Sequence, residues 1–170
     1  MSLQAKNPQR SSHFAAAQFG NPARWREPIL DPPQVGKLPG ETFLGRLLEL
    51  SSMEVSFGSM LPGEAMPFLH AHKQNEELYV ILSGEGEMQV DGECIPLRSG
   101  TVIRIAQPGL RAWRATGRDP MGYLVVQAKA GSLEQAAGGD GIIADVELRW
   151  PEAGEPADQG LSWPLGKVFL

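Results

Sequence analysis

The sequence predicts an all-β fold, a single β-barrel or jelly roll of two antiparallel sheets, and three observations carry that expectation. With 20 Gly and 14 Pro in 170 residues, one position in five is a strong breaker of regular structure, which argues against long helices. Between residues 42 and 130, short runs alternate apolar and polar side chains with the period of two of half-buried strands. Turn-forming dipeptides separate these runs at the spacing of sandwiches and barrels. At 42% hydrophobic and 21% charged, the chain has the composition of one globular domain with a single core, and two full domains would be cramped.

Residues 1–41 read as an N-terminal arm, rich in Pro, Gln, Asn and Arg, lying on the barrel or on a partner subunit. Its amphipathic stretch, Phe14 to Phe19, is short, and Asp31-Pro32-Pro33 forbids a continuing helix. The apolar run Phe43 to Leu50 suits either a strand or a short turn of helix, and Met53 to Met60 alternates as a strand. Leu61-Pro62-Gly63-Glu64 is a turn; Ala65 to His72 and Glu77 to Leu82 read as two more strands, the second ended by Ser83-Gly84. Glu87 to Val90 and Glu93 to Leu97 flank Asp91-Gly92, the pair that supplies the two positive φ values of a type I′ hairpin. Thr101 to Ile105, Arg111 to Thr116 and Gly122 to Ala128 complete about eight strands, so residues 42–130 form the barrel. Residues 131–170 lose the alternation and are expected to form a C-terminal extension packed on the barrel, either irregular or with a short helix near Leu133.

A net charge of −5 with scattered basic residues argues against nucleic acid or anionic membrane as a partner and favours a small molecule. The longest apolar run, Leu78 to Leu82, is strand-sized and far below the ~20 residues that cross a bilayer. The single cysteine, Cys94, excludes an internal disulfide, and its apolar neighbour Ile95 suggests a small buried hydrophobe. With no apolar leader at the N-terminus, a cytoplasmic location is expected.

Two of the three histidines, His70 and His72, stand two residues apart, so on an extended segment both imidazoles point to one face. Five residues later comes Glu77. Two neutral imidazoles and a carboxylate form a common ligand set for Mn, Fe, Ni, Cu or Zn. The bland reading is a pair of strand-end histidines bonded to backbone, beside a solvated carboxylate. Tyr79 shares the parity of Glu77 and is expected to face inward with it.

The stretch from Gly63 through His70, His72 and Glu77 to Gly84 resembles the first signature motif of the cupin superfamily: Gly, five residues, His-x-His, three or four residues, Glu, six residues, Gly. The first gap here is six residues; the others match and single out Glu77 over Glu76. The resemblance, to small single-domain proteins of the cupin 2 conserved-barrel type, covers residues 42–130, including the hairpin at Asp91-Gly92 and the strand of Gln127. It implies a cupin barrel, with His70, His72 and Glu77 as metal ligands and a homodimer paired through edge strands.

The second cupin motif normally adds a last histidine, and here it does not. Counting from Gly100 puts Arg111 in the histidine slot and Ala115 in the following Asn slot; counting from Gly109 puts Ala112 and Thr116 there. Three readings stay open: a metal on His70, His72 and Glu77 with water completing its shell, a site completed by a group such as Gln107 or His13, and a metal-free pocket. An inward Arg111 would disfavour a cation and suit a carboxylate or phosphate; the bland alternative is a surface arginine stacked on Trp113. The resemblance thus implies a protein binding a divalent metal and a small organic molecule in the barrel mouth, as a metal-dependent oxygenase or isomerase. The alternative is a noncatalytic cupin that binds an anion without metal, with Arg111, Tyr79 and Gln107 as ligand contacts.

Overall fold

The computed structural model describes residues 8–21, 25–26, 29–30, 38–134, 141, 143–145, 148 and 150. In chain order come β1 (Gln9–Arg10), β2 (Ala15–Ala16), β3 (Ile29–Leu30), β4 (Leu38–Pro39), β5 (Thr42–Phe43) and the single-turn helix α1 (Gly45–Leu48). The barrel continues with β6 (Met53–Met60), β7 (Asn75–Ser83), β8 (Glu85–Val90) and β9 (Glu93–Arg98). It closes with β10 (Val102–Ile105), β11 (Arg111–Ala115) and β12 (Met121–Lys129). All pairings are antiparallel, in a five-stranded sheet of order β10-β7-β12-β6-β5 and a three-stranded sheet of order β11-β8-β9. The all-β barrel of two antiparallel sheets is therefore what the sequence predicts.

The hairpin between β8 and β9 has the expected geometry, with φ of 49° at Asp91 and 93° at Gly92, and pairs Val90 with Glu93 across the turn. Two segments differ from expectation. The run from Phe43 to Leu50 is both of its alternatives in succession, β5 and then α1. The turn of α1 is seeded where Glu54 Oε1 accepts the Gly45 N–H at 2.6 Å. The segment Ala65 to His72 is not a continuous strand; it touches β11 through two isolated bridges, Ala65 with Arg114 and His70 with Arg111. Pro67 lies between them and has no N–H to give to a ladder.

The core lies between the sheets. Tyr79, Ile81, Tyr123 and Val125 of the larger sheet join Met88, Leu97 and Trp113 of the smaller in one buried cluster. Trp113 sits edge-on to both Tyr79 and Tyr123, with ring centroids 5.2 and 5.7 Å away. Gly58 permits a close approach: a Cβ there would fall 2.6 Å from the Tyr123 hydroxyl.

β6 uses its two faces unusually. Its polar row, Glu54 and Ser56, lines a cavity at the barrel mouth, whereas Phe57, on the opposite row, is buried by the arm. Phe19 meets the Phe57 ring edge-on at 4.8 Å between centroids, and Trp25 approaches it to 4.2 Å. Arg10 pairs with Glu49 at 3.0 Å, and Arg26 with Glu64, so the arm lies on its own barrel.

Contacts divide the chain into two units, Met1–Ser132 and Leu133–Leu170. Leu133 and Glu134 carry no regular structure, and a helix beyond them would lie outside the described residues. The packing expected of the C-terminal extension lies outside the described residues. Cys94 is exposed and not buried as expected, because its strand turns that row outward; its thiol donates to Glu87 Oε2 at 3.0 Å. Among the described residues no helix is long and apolar enough to cross a membrane.

Phe57→Ala removes the ring that Phe19 and Trp25 cover, and should cost about 3–5 kcal/mol of unfolding free energy. Urea denaturation of the full chain measures it, with Leu82→Ala, at 40% exposure, as the milder control.

Candidate functional site

Four segments meet at the barrel mouth, two of them consecutive in the chain. β7 contributes Glu77 and Tyr79, which point inward as strand parity requires and are 6% and 2% exposed. β12 contributes Gln127, which pairs directly with Glu77 in the sheet register. The irregular segment before β7 contributes His70 and His72. β11 contributes Arg111, locked to His70 by reciprocal backbone bonds of 3.0 and 3.1 Å.

The side chains form one connected network around Glu77. Its Oε2 accepts from the Tyr79 hydroxyl at 2.8 Å and from Arg111 Nη2, while its Oε1 faces His72 Nε2 at 2.8 Å. Arg111 Nη1 donates to the His70 carbonyl at 3.0 Å, and its Nε reaches the Tyr79 hydroxyl at 3.4 Å. Gln127 places its amide nitrogen 2.6 Å from His72 Nε2. Turned to present its oxygen, the same amide offers an acceptor at this point.

Arg111 is therefore neither a surface residue stacked on Trp113 nor an open anion clamp. It is 1% exposed, each of its three nitrogens has a protein acceptor, and it does not line the cavity. Its place in the chain, where the resemblance expects a histidine, puts a fixed positive charge behind Glu77. An acceptor at each nitrogen offsets much of the cost of burying the guanidinium.

His70, His72 and Glu77 bring one ligand atom each within 4.8 Å of the others. Their chemistry fits a divalent transition ion. Nδ1 of His70 is buried without a hydrogen-bond partner. Burial, and then the charge of Arg111, push the His70 pKa down to about 4, so the ring is neutral, as a ligand must be. Glu77 Oε1 and the Gln127 amide also crowd onto one nitrogen of His72, which can satisfy only one of them. An ion held there would relieve that conflict.

The cavity is about 230 Å³ and runs from the triad past Tyr79 to apolar walls of Phe43, Phe68 and Trp113. Burial holds the Tyr79 hydroxyl well above the usual phenol range, and the charge of Glu77 adds to this, so Tyr79 remains a donor. Glu41, which also lines the cavity, accepts from the Ser56 hydroxyl at 2.9 Å. Its carboxyl is raised above the ordinary range, first by burial and then by the charge of Glu77, with the Ser56 bond opposing.

Of the residues singled out from sequence, His70, His72, Glu77 and Tyr79 line the cavity together. Gln107 does not: it is exposed in the turn between β10 and β11, and the glutamine at the site is Gln127. His13 is exposed in the arm, bonded through its backbone to Ser11. Gln127, Glu41 and Glu54 were not foreseen as site residues. Gln127 carried a signal, since the inward row of β12 reads Met121, Tyr123, Val125 and then a polar Gln127. Glu41 precedes the barrel strands and carried none.

Similarity to known proteins agrees with this architecture. The family model described as the cupin domain matches residues 56–127. A cupin protein from Bacteroides fragilis is 44% identical, with a TM-score of 0.59 over 61% of this chain and 88% of its own. A predicted oxalate decarboxylase from Thermotoga maritima is 27% identical, covering 44% of this chain and 64% of its own at a TM-score of 0.42. A sugar phosphate isomerase from Silicibacter pomeroyi is 21% identical, covering 53% and 59% at 0.48. At these scores neither brings its activity to this chain. No curated protein matches it.

Arg111→Met should cost about 3–5 kcal/mol, because it strands Glu77 as a buried charge without a counterion. Adding Glu77→Gln should recover much of that loss, giving a coupling energy in a double-mutant cycle by urea denaturation. A second expectation concerns pH. The unfolded chain binds the His70 proton near 6.5 and the folded chain near 4, so His70 contributes stability above 6.5 that is lost as pH falls toward 4. Chelator-treated wild type should lose urea resistance across that window more steeply than His70→Asn.

Proposed function

The chain belongs to the cupin family, and from that premise we propose that it binds one divalent transition-metal ion through His70, His72 and Glu77, beside a small molecule in the barrel-mouth cavity. The observation that carries this reading is the convergence of two imidazoles and a carboxylate on one point, with a buried His70 nitrogen that has no protein partner. Three protein ligands leave coordination positions open toward the cavity, the requirement shared by metal-dependent oxygenases and isomerases. When bound, the ion would supply Lewis acidity to a ligand group.

The chain's own residues do the positioning. Arg111 and Tyr79 hold one oxygen of Glu77, which leaves the other on the side of His72. Gln127 borders His72 and restrains its ring. Phe43, Phe68 and Trp113 exclude water from the ligand's body. A metal-free, anion-binding pocket has less support, because the guanidinium that would clamp the anion already has a protein acceptor at each nitrogen.

Protein purified without an affinity tag should contain close to one Mn, Fe, Ni, Cu or Zn per chain by plasma emission spectrometry. The His70→Ala, His72→Ala double variant should contain none while keeping its far-ultraviolet circular dichroism. Absence of metal in wild type, and no uptake on dialysis against these ions, would overturn the reading.

A further inference from the structure

Arg111 occupies the slot of the last histidine ligand, and a guanidinium has no lone pair to give an ion. If the triad holds a metal, as proposed above, its shell lacks that protein ligand. Gln127 reaches the same point from another strand. It stands directly opposite Glu77 in the register of β12 against β7 and lines the cavity together with the triad. Its amide nitrogen lies 2.6 Å from His72 Nε2, 3.2 Å from His72 Nδ1 and 3.5 Å from Glu77 Oε1. His72 Nε2 and Glu77 Oε1 are themselves 2.8 Å apart. Ligand atoms about 2.1 Å from one ion stand about 3 Å from each other at right angles. The three groups thus have the spacing of neighbours in one coordination shell.

Protons do not account for that spacing. With the amide nitrogen toward His72, either an N–H faces the Nε2 proton or the Nε2 lone pair faces the Glu77 carboxylate. With the amide oxygen toward His72, one proton must serve two acceptors. Among the described residues the amide has no hydrogen-bond partner besides His72 and Glu77. A cation met by the imidazole nitrogen, the carboxylate oxygen and the amide oxygen satisfies all three groups. We infer that Gln127 is a fourth protein ligand, binding the ion through its amide oxygen Oε1 where the family pattern would use a histidine. Four protein ligands still leave positions open to the cavity on a five- or six-coordinate ion.

Zinc affinity of the full chain, measured by competition with a chromogenic chelator, tests this. Gln127→Met keeps the reach of the side chain, removes the oxygen, and should weaken zinc binding at least about tenfold. Losing a hydrogen bond to His72 has a similar cost, so Gln127→Glu separates the two roles. A carboxylate ligates but does not donate, and this variant should recover the affinity. The visible absorption bands of the cobalt-loaded protein report the ligand set, and they should move in Gln127→Met. Wild type that takes up neither zinc nor cobalt sinks the metal reading itself. Wild type that binds, with equal affinity and unchanged bands in Gln127→Met, sinks the Gln127 assignment alone, as does failure of Gln127→Glu to recover zinc. If the variants do not fold, isotope-labelled wild type decides by nuclear magnetic resonance. Zinc should move one glutamine side-chain amide signal with both of its protons retained, and no moving signal overturns the assignment.

Discussion

The ion pair between Glu77 and Arg111 is the constraint on which the barrel mouth depends. It joins β7 of the larger sheet to β11 of the smaller, and both partners are almost wholly buried. Desolvating two charges costs several kcal/mol each, so the pair persists only because every nearby polar group serves it. Tyr79 donates to the carboxylate, and the His70 carbonyl accepts from the guanidinium. That last bond also anchors the irregular histidine segment, which otherwise touches β11 only at isolated bridges. The same contacts that neutralise a buried charge therefore position the candidate ligands.

The inner face of the larger sheet changes character along its length. At one end Ile81 and Tyr123 are core residues; at the other Glu77 and Gln127 stand opposite each other with the same inward direction. Because the strand period is two, one row of side chains passes from core to site without any change in backbone. β6 makes the same transition, with Met60 in the core and Ser56 and Glu54 in the cavity. Its apolar outer row is left to the arm, whose Phe19 and Trp25 rings cover Phe57. The arm thus stabilises the strand that lends its polar row to the cavity.

Much of this was legible in the sequence, and the failures have physical causes. The Asp91-Gly92 hairpin, the strands around it and the inward parity of Glu77 and Tyr79 follow from local rules of φ and side-chain period. The Ala65 to His72 segment was misread as a strand because its composition suits one, whereas Pro67 cannot donate to a ladder. For Arg111 the sequence leaves surface and interior both open, because parity places a side chain on a face without saying whether a buried acid waits there. Cys94 differs for the complementary reason: apolar Ile95 follows it, yet its own row faces solvent.

By itself the sequence determined the all-β class, the turns, the order of strands along the chain and the trio His70, His72 and Glu77. Each of these depends on residues within a few positions of one another. Only the tertiary structure decided that Gln127, and not Gln107, stands beside His72, and that Arg111 pairs with Glu77 behind the cavity. Those contacts join residues 55 and 34 positions apart. They depend on the register of β12 against β7 and on the approach of the two sheets, which exist only once the barrel has closed around its buried charge pair.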